Sequence, residues 1–280
     1  MSFAQRVAIK YIRAKFGVLS ALSKRRAAEK AFQLFCTPQR RNKKKLPPVF
    51  VQAERLHFSL AGNTIRGYRW NHPSEKKLLI LHGFESSVIN FDRYVKPLVK
   101  KGYEVLAFDA PAHGRSSGNK IHIPLYKDMI HHIDKTYGPV QSFLAHSLGG
   151  LAVSLFLEAI PHDRNYKLVL IAPATETKRA VDNFFRFLKL DKEVREVFDD
   201  LIVKMGGKSM DWYSVARAAG HIQAQVLFLQ DKQDDLTPIA DVKPIMDKHY
   251  PNFHFIISDG LGHRRIYRDQ KSFKSIIDFL

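Results

Sequence analysis

The stretch Val140-Gln141-Ser142-Phe143-Leu144-Ala145-His146-Ser147-Leu148-Gly149-Gly150 constrains the fold more than any other. An apolar run leads to a serine, two glycines follow, and a second apolar run begins at Leu151. The first run reads as a strand and the second as a helix. A sharp passage between them forces the residue at the tip into a strained backbone conformation. Small neighbours are then needed so that the two elements can approach closely. The tip residue, Ser147, is pushed out at the carboxyl end of a sheet, and the first amides of the helix point at whatever reacts there.

The neighbouring segments supply the sheet. Glu54–Leu60 and Thr64–Trp70 flank the turn residues Ala61-Gly62-Asn63 and read as a β-hairpin. Strands are expected at Lys77–Leu81, Tyr103–Phe108 and Lys167–Ile171, with helices at Phe91–Lys101, Leu125–Tyr137 and Leu148–Ala159 between them. Regular alternation of this kind marks a mostly parallel sheet with helices on both faces. It stops at Pro173. Residues 174–220 contain helical stretches, among them Val181–Leu188 and Glu193–Lys204, and no convincing strand. Alternation resumes with strands Gln225–Gln230 and Phe253–Ser258 and helices Ala240–His249 and Ser272–Leu280. A helical insert between two such strands is expected to cap the strand ends, where open α/β folds bind ligands. Phe184, Phe185, Phe187 and Leu188 in this insert could line an acyl pocket, or form the buried face of a cap helix.

Charge separates the N-terminal arm from the rest. The chain carries 45 Lys and Arg against 27 Asp and Glu, a formal net charge of +18. Within residues 1–50 there are 13 basic residues and a single acid, Glu29. Most of the basicity is therefore a property of the arm. Phe3, Val7, Tyr11, Ala14, Val18 and Leu22 recur at helical spacing, widened by Ile12, Phe16 and Leu19, with Arg6, Lys10, Arg13 and Lys24 expected opposite. A basic amphipathic helix of this kind suits an anionic membrane surface or an acidic partner, or packs on the domain with its charges solvated. A second helix is expected over Ala27–Cys36, ending before Pro38. The charge run Arg40–Lys45 and the stiff Pro47-Pro48 pair then place a boundary near residue 48. The expected division is a basic helical arm, 1–48, and a catalytic domain, 49–280, carrying a helical cap at 174–220.

The pentapeptide Ala145-His146-Ser147-Leu148-Gly149 resembles the nucleophile elbow of the α/β-hydrolase family, G-x-S-x-G, with alanine at the first position. Four further motifs resemble the same family. His82-Gly83-Phe84 is similar to its oxyanion loop, and Asp109-x-Pro-x-His-Gly-x-Ser116 to a loop that shapes the sheet end. Asp231-Lys-Gln-Asp234, with Pro238 beyond, is similar to its acid loop. Gly262-His263 follows a late strand, as the family's histidine does. A serine hydroxyl needs a base to take its proton and a third group to orient that base. The resemblance implies Ser147 as nucleophile, His263 as base and Asp234 as the orienting acid, with Asp235 as the rival. It implies the backbone amides of Phe84 and Leu148 as oxyanion donors. His82, His113 and His146 are expected to be structural.

The implied activity is hydrolysis of a small-molecule carboxylic ester or thioester through an acyl-enzyme. An acyltransferase, or a non-catalytic ligand-binding member of the same fold, is the alternative. Neither a metal nor an organic cofactor is expected. There is no H-E-x-x-H motif, no zinc-spaced Cys/His pair, no G-x-G-x-x-G and no Walker A loop. Nucleic-acid binding is not expected, since the arm holds no reading module. The single cysteine, Cys36, fits a reducing compartment, and no apolar run reaches the roughly 18 residues of a membrane span. The expected setting is cytoplasmic, with residues 1–45 as the contact to a membrane surface.

Overall fold

The computed structural model describes residues 3–42 and 44–280. Met1, Ser2 and Lys43 of the basic arm, and the side chains of Phe3, Ala4 and Gln5, lie outside the described residues. The chain divides into two compact units, Met1–Thr37 with Glu176–Tyr213, and Pro38–Thr175 with Ser214–Leu280. It thus changes unit at residues 37/38, 175/176 and 213/214, where the sequence placed limits near 48, 174 and 220. The physical reason is that the two arm helices pack with the helices of the insert.

The larger unit is built on eight strands: β1 (Glu54–Leu60), β2 (Asn63–Trp70), β3 (Lys77–Leu81), β4 (Glu104–Phe108), β5 (Ser142–His146), β6 (Lys167–Ile171), β7 (Gln225–Asp231) and β8 (Phe253–Ser258). Their spatial order is β1-β2-β4-β3-β5-β6-β7-β8. β1, β2 and β4 pair antiparallel, and every pair from β4 to β8 is parallel. The central strands read as continuous apolar runs because helices cover both faces. Leu78, Ile80, Leu144, Val169 and Leu229 join one core with Tyr94, Val95 and Leu98 of the helix Asp92–Lys100 and with Ile276 of the helix Gln270–Phe279. The alternate residues face the other way, where Phe143 meets Phe156 of the helix Leu148–Glu158 and Phe108 meets Tyr137 of the helix Ile123–Tyr137. Each strand therefore spends its two-residue period on two different layers.

In the smaller unit, helices Phe3–Leu22, Lys24–Cys36, Thr177–Leu188 and Lys192–Gly206 surround an aromatic knot of Phe32, Phe35, Phe184, Phe185 and Phe198. Phe198 is fully buried, so Phe198→Ala is expected to destabilise by about 3–5 kcal/mol. Phe185 and Leu188 belong to this buried face, whereas Phe187 is 46% exposed. The first two helices break at Ser23, whose side chain accepts from the Arg26 amide. A serine there competes with continued helix by capping the next one.

The first helix does not pack with its whole apolar face inward and its charges solvated, one of the arrangements the sequence left open. Phe16 and Ser20 are buried, while Val7, Tyr11, Val18 and Leu22 are 49%, 66%, 63% and 79% exposed. The cause lies in the insert. Asp191 accepts from Ser20 at 2.5 Å and from Lys24 at 2.6 Å, and the Phe187 carbonyl accepts from Arg13 at 2.8 Å. These acceptors draw a mixed polar and apolar face inward. Burial pushes the Asp191 carboxyl up, but Lys24, Ser20 and the Val194 amide bring it down to about 2.

Candidate active site

Four loops of the larger unit meet at the carboxyl ends of β3, β5, β7 and β8. β5 ends at His146, and Ser147 follows with φ 52° and ψ −119°. That backbone is costly for a residue with a side chain, on the order of 1–3 kcal/mol. Its surroundings hold it. The Ser147 amide donates to the Ile171 carbonyl, and its own carbonyl accepts from Gly150, Leu151 and Ala174. The neighbours must be small. A side chain at Gly149 would lie 2.9 Å from the His82 carbonyl oxygen, and one at Gly83 would lie 2.7 Å from Ser147 Cβ. Ala145, in register with Leu81 and Leu170, is fully buried. The sheet therefore accepts a methyl where the family motif has glycine.

Ser147, His263 and Asp234 form one chain of hydrogen bonds. His263 Nε2 lies 3.0 Å from Ser147 Oγ, and His263 Nδ1 lies 2.8 Å from Asp234 Oδ2. The carboxylate assigns the proton to Nδ1 and leaves Nε2 as acceptor toward the serine. Asp234 is buried and Asp235 is exposed, so only the former faces the imidazole. Burial pushes the Asp234 carboxyl up, but His263 and the Thr237 amide and hydroxyl outweigh it and hold it below the ordinary carboxylate range. The amides of Phe84 and Leu148, the expected oxyanion donors, meet no protein acceptor among the described residues.

Several groups in this arrangement were not read from the sequence. Thr237 Oγ1 donates to Asp234 Oδ2 at 2.8 Å, and its amide donates to Oδ1 at 2.9 Å. The signal was available, since a carboxylate commonly accepts from an amide a few residues on. Asp231 does more than make a turn. Its carboxylate accepts from Gln233, Ser258, Leu261 and Gly262, and so ties the loop that carries His263 to β7. His146 holds the other side of that loop through Nε2, 3.0 Å from the His263 carbonyl. These contacts span long sequence separations, and no local pattern announces them.

His82, His113 and His146 are buried and neutral. His82 Nε2 accepts from the Ala110 amide while Nδ1 donates to the Gly83 carbonyl. His113 Nε2 accepts from the Glu85 amide while Nδ1 donates to the Pro111 carbonyl. Both histidines thereby brace the 82–86 loop. Burial is the main cause that lowers His82 from 6.5 to about 4, and His113 and His146 to about 3. The unfolded chain therefore binds protons that the native state refuses. Their contribution to stability is full above pH 6.5 and is lost as pH falls toward 4 and below. Unfolding near pH 5 is expected to take up about three protons through these side chains. Urea midpoints measured from pH 7 to pH 5 should fall steadily, and a flat profile would contradict neutral burial. Asp231, held at about 2 by its four donors against the effect of burial, adds a separate loss only below its ordinary value of 3.8.

Among the described residues no group of three or more His, Cys, Asp or Glu side chains is placed to hold a metal ion. The chemistry available is that of a serine with a base and two free amides beside it.

A family profile described as "Serine aminopeptidase, S33" matches residues 72–224, more than half of the chain. The chain belongs to this family of α/β hydrolases. The hydrolase is 28% identical over 238 residues to "Putative esterase/lipase 2" of Mycoplasma pneumoniae, covering 72% of this chain and 87% of that protein. Its fold is similar to that of a Pyrococcus furiosus esterase, with a TM-score of 0.65 at 21% identity over 87% of this chain and 98% of the other. The mouse protein "Alpha/beta hydrolase domain-containing protein 10" aligns with a TM-score of 0.58 at 16% identity, covering 81% and 96%.

Proposed function

We propose that this hydrolase cleaves a carboxylic ester or thioester of a small molecule through an acyl-enzyme on Ser147. The observation that carries the reading is the position of His263, 3.0 Å from the serine oxygen and 2.8 Å from the Asp234 carboxylate. Ser147 Oγ attacks the carbonyl carbon as its proton passes to His263 Nε2. The carbonyl oxygen becomes an oxyanion and accepts from the Phe84 and Leu148 amides, each worth about 10²–10³ in rate. The tetrahedral intermediate collapses, and the leaving alcohol or thiol takes the proton from Nε2. Water then attacks the acyl-enzyme with His263 again as base, and returns Ser147. Asp234 holds the imidazole in the productive tautomer and stabilises its charged form. The name of the Mycoplasma relative supports an ester as the scissile group.

A fluorophosphonate probe tests the activated serine. The expected result is a single adduct on Ser147, absent in Ser147→Ala and strongly slowed in His263→Ala. Labelling that survives the His263 change would remove the proposed base. Product analysis with an added alcohol or thiol separates hydrolysis from acyl transfer.

The arm supports a second element of the reading, contact with an anionic lipid surface. Val7, Tyr11, Val18 and Leu22 form an exposed apolar stripe, with Lys10 and Lys15 exposed to either side in the helical projection. No helix among the described residues is long and apolar enough to cross a membrane. Contact would therefore be peripheral. Replacing Val18 and Leu22 together by serine should weaken binding to phosphatidylglycerol vesicles without changing turnover of a soluble ester. Equal vesicle binding by both forms would sink this element.

A further inference from the structure

Leu46, Arg55, Leu56, Arg66, Tyr68 and Arg115 line a cavity of about 390 Å³, with the backbone of Gly67 and Gly114 completing it. None of these residues belongs to the Ser147 site. Three arginines, all exposed, line this one concavity, and their summed positive charge there favours an anion. Among the described residues none of the three has a carboxylate partner. Acids are not lacking nearby. On the same hairpin, Arg69 is paired with Glu54 at 2.7 Å and lies 3.8 Å from Glu104.

The rim is built rather than incidental. Arg55 stands opposite Tyr68 in the β1–β2 register, and Arg66 lies two residues before Tyr68 on the same face. The Arg66 carbonyl accepts from the Asp109 amide and its own amide donates to Ser116 Oγ, which in turn donates to the Asp109 carbonyl. The Arg115 amide donates to Asp109 Oδ2. These bonds fix the strand carrying Arg66 against the loop carrying Arg115. Asp109, whose charge acts on Tyr68, is fully buried and taken by Ser87, Val88 and Arg115. Gly114 folds over it so closely that a Cβ would lie 2.1 Å from its carboxylate.

Tyr68 is 3% exposed and lines the cavity, and its hydroxyl meets no protein partner among the described residues. Burial and then the Asp109 charge push the phenol up, against the pull of Arg115, Arg55 and Arg66. It remains a hydrogen-bond donor at neutral pH. Every polar side chain at the cavity is thus a donor. Guanidinium groups match phosphate oxygens in pairs. The volume is that of a small ligand rather than of a bare ion, and Leu46 and Leu56 offer it an apolar wall.

We propose that this cavity binds a phosphate ester, its phosphate held by Arg55, Arg66 and Arg115 with the Tyr68 hydroxyl as a further donor. Two sources share this chemistry, a free metabolite and a lipid headgroup, and the probes separate them. Calorimetric titration with glycerol 3-phosphate at constant ionic strength is expected to show one saturable site per chain. Arg66→Ala and Arg115→Ala should each weaken it about tenfold or more. Tyr68→Phe, which keeps the packing, should weaken it about fivefold. Lys248→Ala, at an exposed lysine distant in the fold, should leave it unchanged. Unaltered thermal unfolding of the arginine variants would show that the loss is local. Binding to phosphatidylglycerol vesicles that needs Arg66 and Arg115, without binding of the soluble ester, would assign the lipid source. No saturable binding of either probe into the millimolar range, or binding equally weakened by Lys248→Ala, would overturn the proposal.

Discussion

Ser147→Ala is expected to lower the turnover of an activated ester by about a millionfold while leaving the fold intact. The size of the effect follows from how the group acts. Without Oγ there is no atom for the acyl group to occupy, and His263 has nothing to deprotonate. The oxyanion donors still bind a carbonyl oxygen, so a residue of activity about 10³–10⁴ above water should remain. Stability should not fall, and it should rise if anything. Alanine keeps the Cβ that the φ 52° backbone must accommodate and removes only an oxygen. Steady-state turnover of a soluble ester, with thermal unfolding in parallel, checks both halves. Undiminished turnover with an intact fold would end the serine mechanism.

Asp234→Asn is the second large effect, a loss of about 10⁴ in kcat. An asparagine amide would donate to His263 Nδ1 and leave the proton on Nε2, the wrong nitrogen for accepting from Ser147. Asp235→Asn should leave turnover within about twofold of the native value, because that side chain is exposed. The pair of variants distinguishes two adjacent aspartates that composition alone treats alike. Thr237→Val should fall between them, with a loss of about tenfold, since it removes one donor to Asp234 Oδ2 and keeps the volume. An Asp235→Asn variant that loses activity as Asp234→Asn does would place the orienting acid elsewhere.

Much of the sheet was legible from the sequence because its signals are local. Lys77–Leu81, Lys167–Ile171 and Phe253–Ser258 form strands with the expected limits. Runs of Leu, Ile, Val and Phe too short for a helix, bounded by turn residues, have few alternatives. Helix ends shifted by one to a few residues where caps decided them. His122 caps the helix that begins at Ile123, and Asp269 the one that begins at Gln270. The short helix Pro48–Val51 was missed. Pro47-Pro48 reads as extended, yet proline is also well suited to a helix start.

What the sequence determined by itself was the succession of strands and helices and the loops in which Ser147, Asp234 and His263 stand. Each depends on residues a few positions apart, through side-chain period, turn chemistry and the steric demands of a tight bend. What only the tertiary structure decided was which groups meet. It brought Ser147 within reach of His263, 116 residues away, and turned Phe16 and Ser20 inward in place of Val18 and Leu22. It also left Arg55, Arg66 and Arg115 around one cavity while Arg69 found Glu54. The physical reason is common to all three. An ion pair or a buried face is chosen by comparing partners across the whole fold, and those partners are neighbours only after the chain has folded.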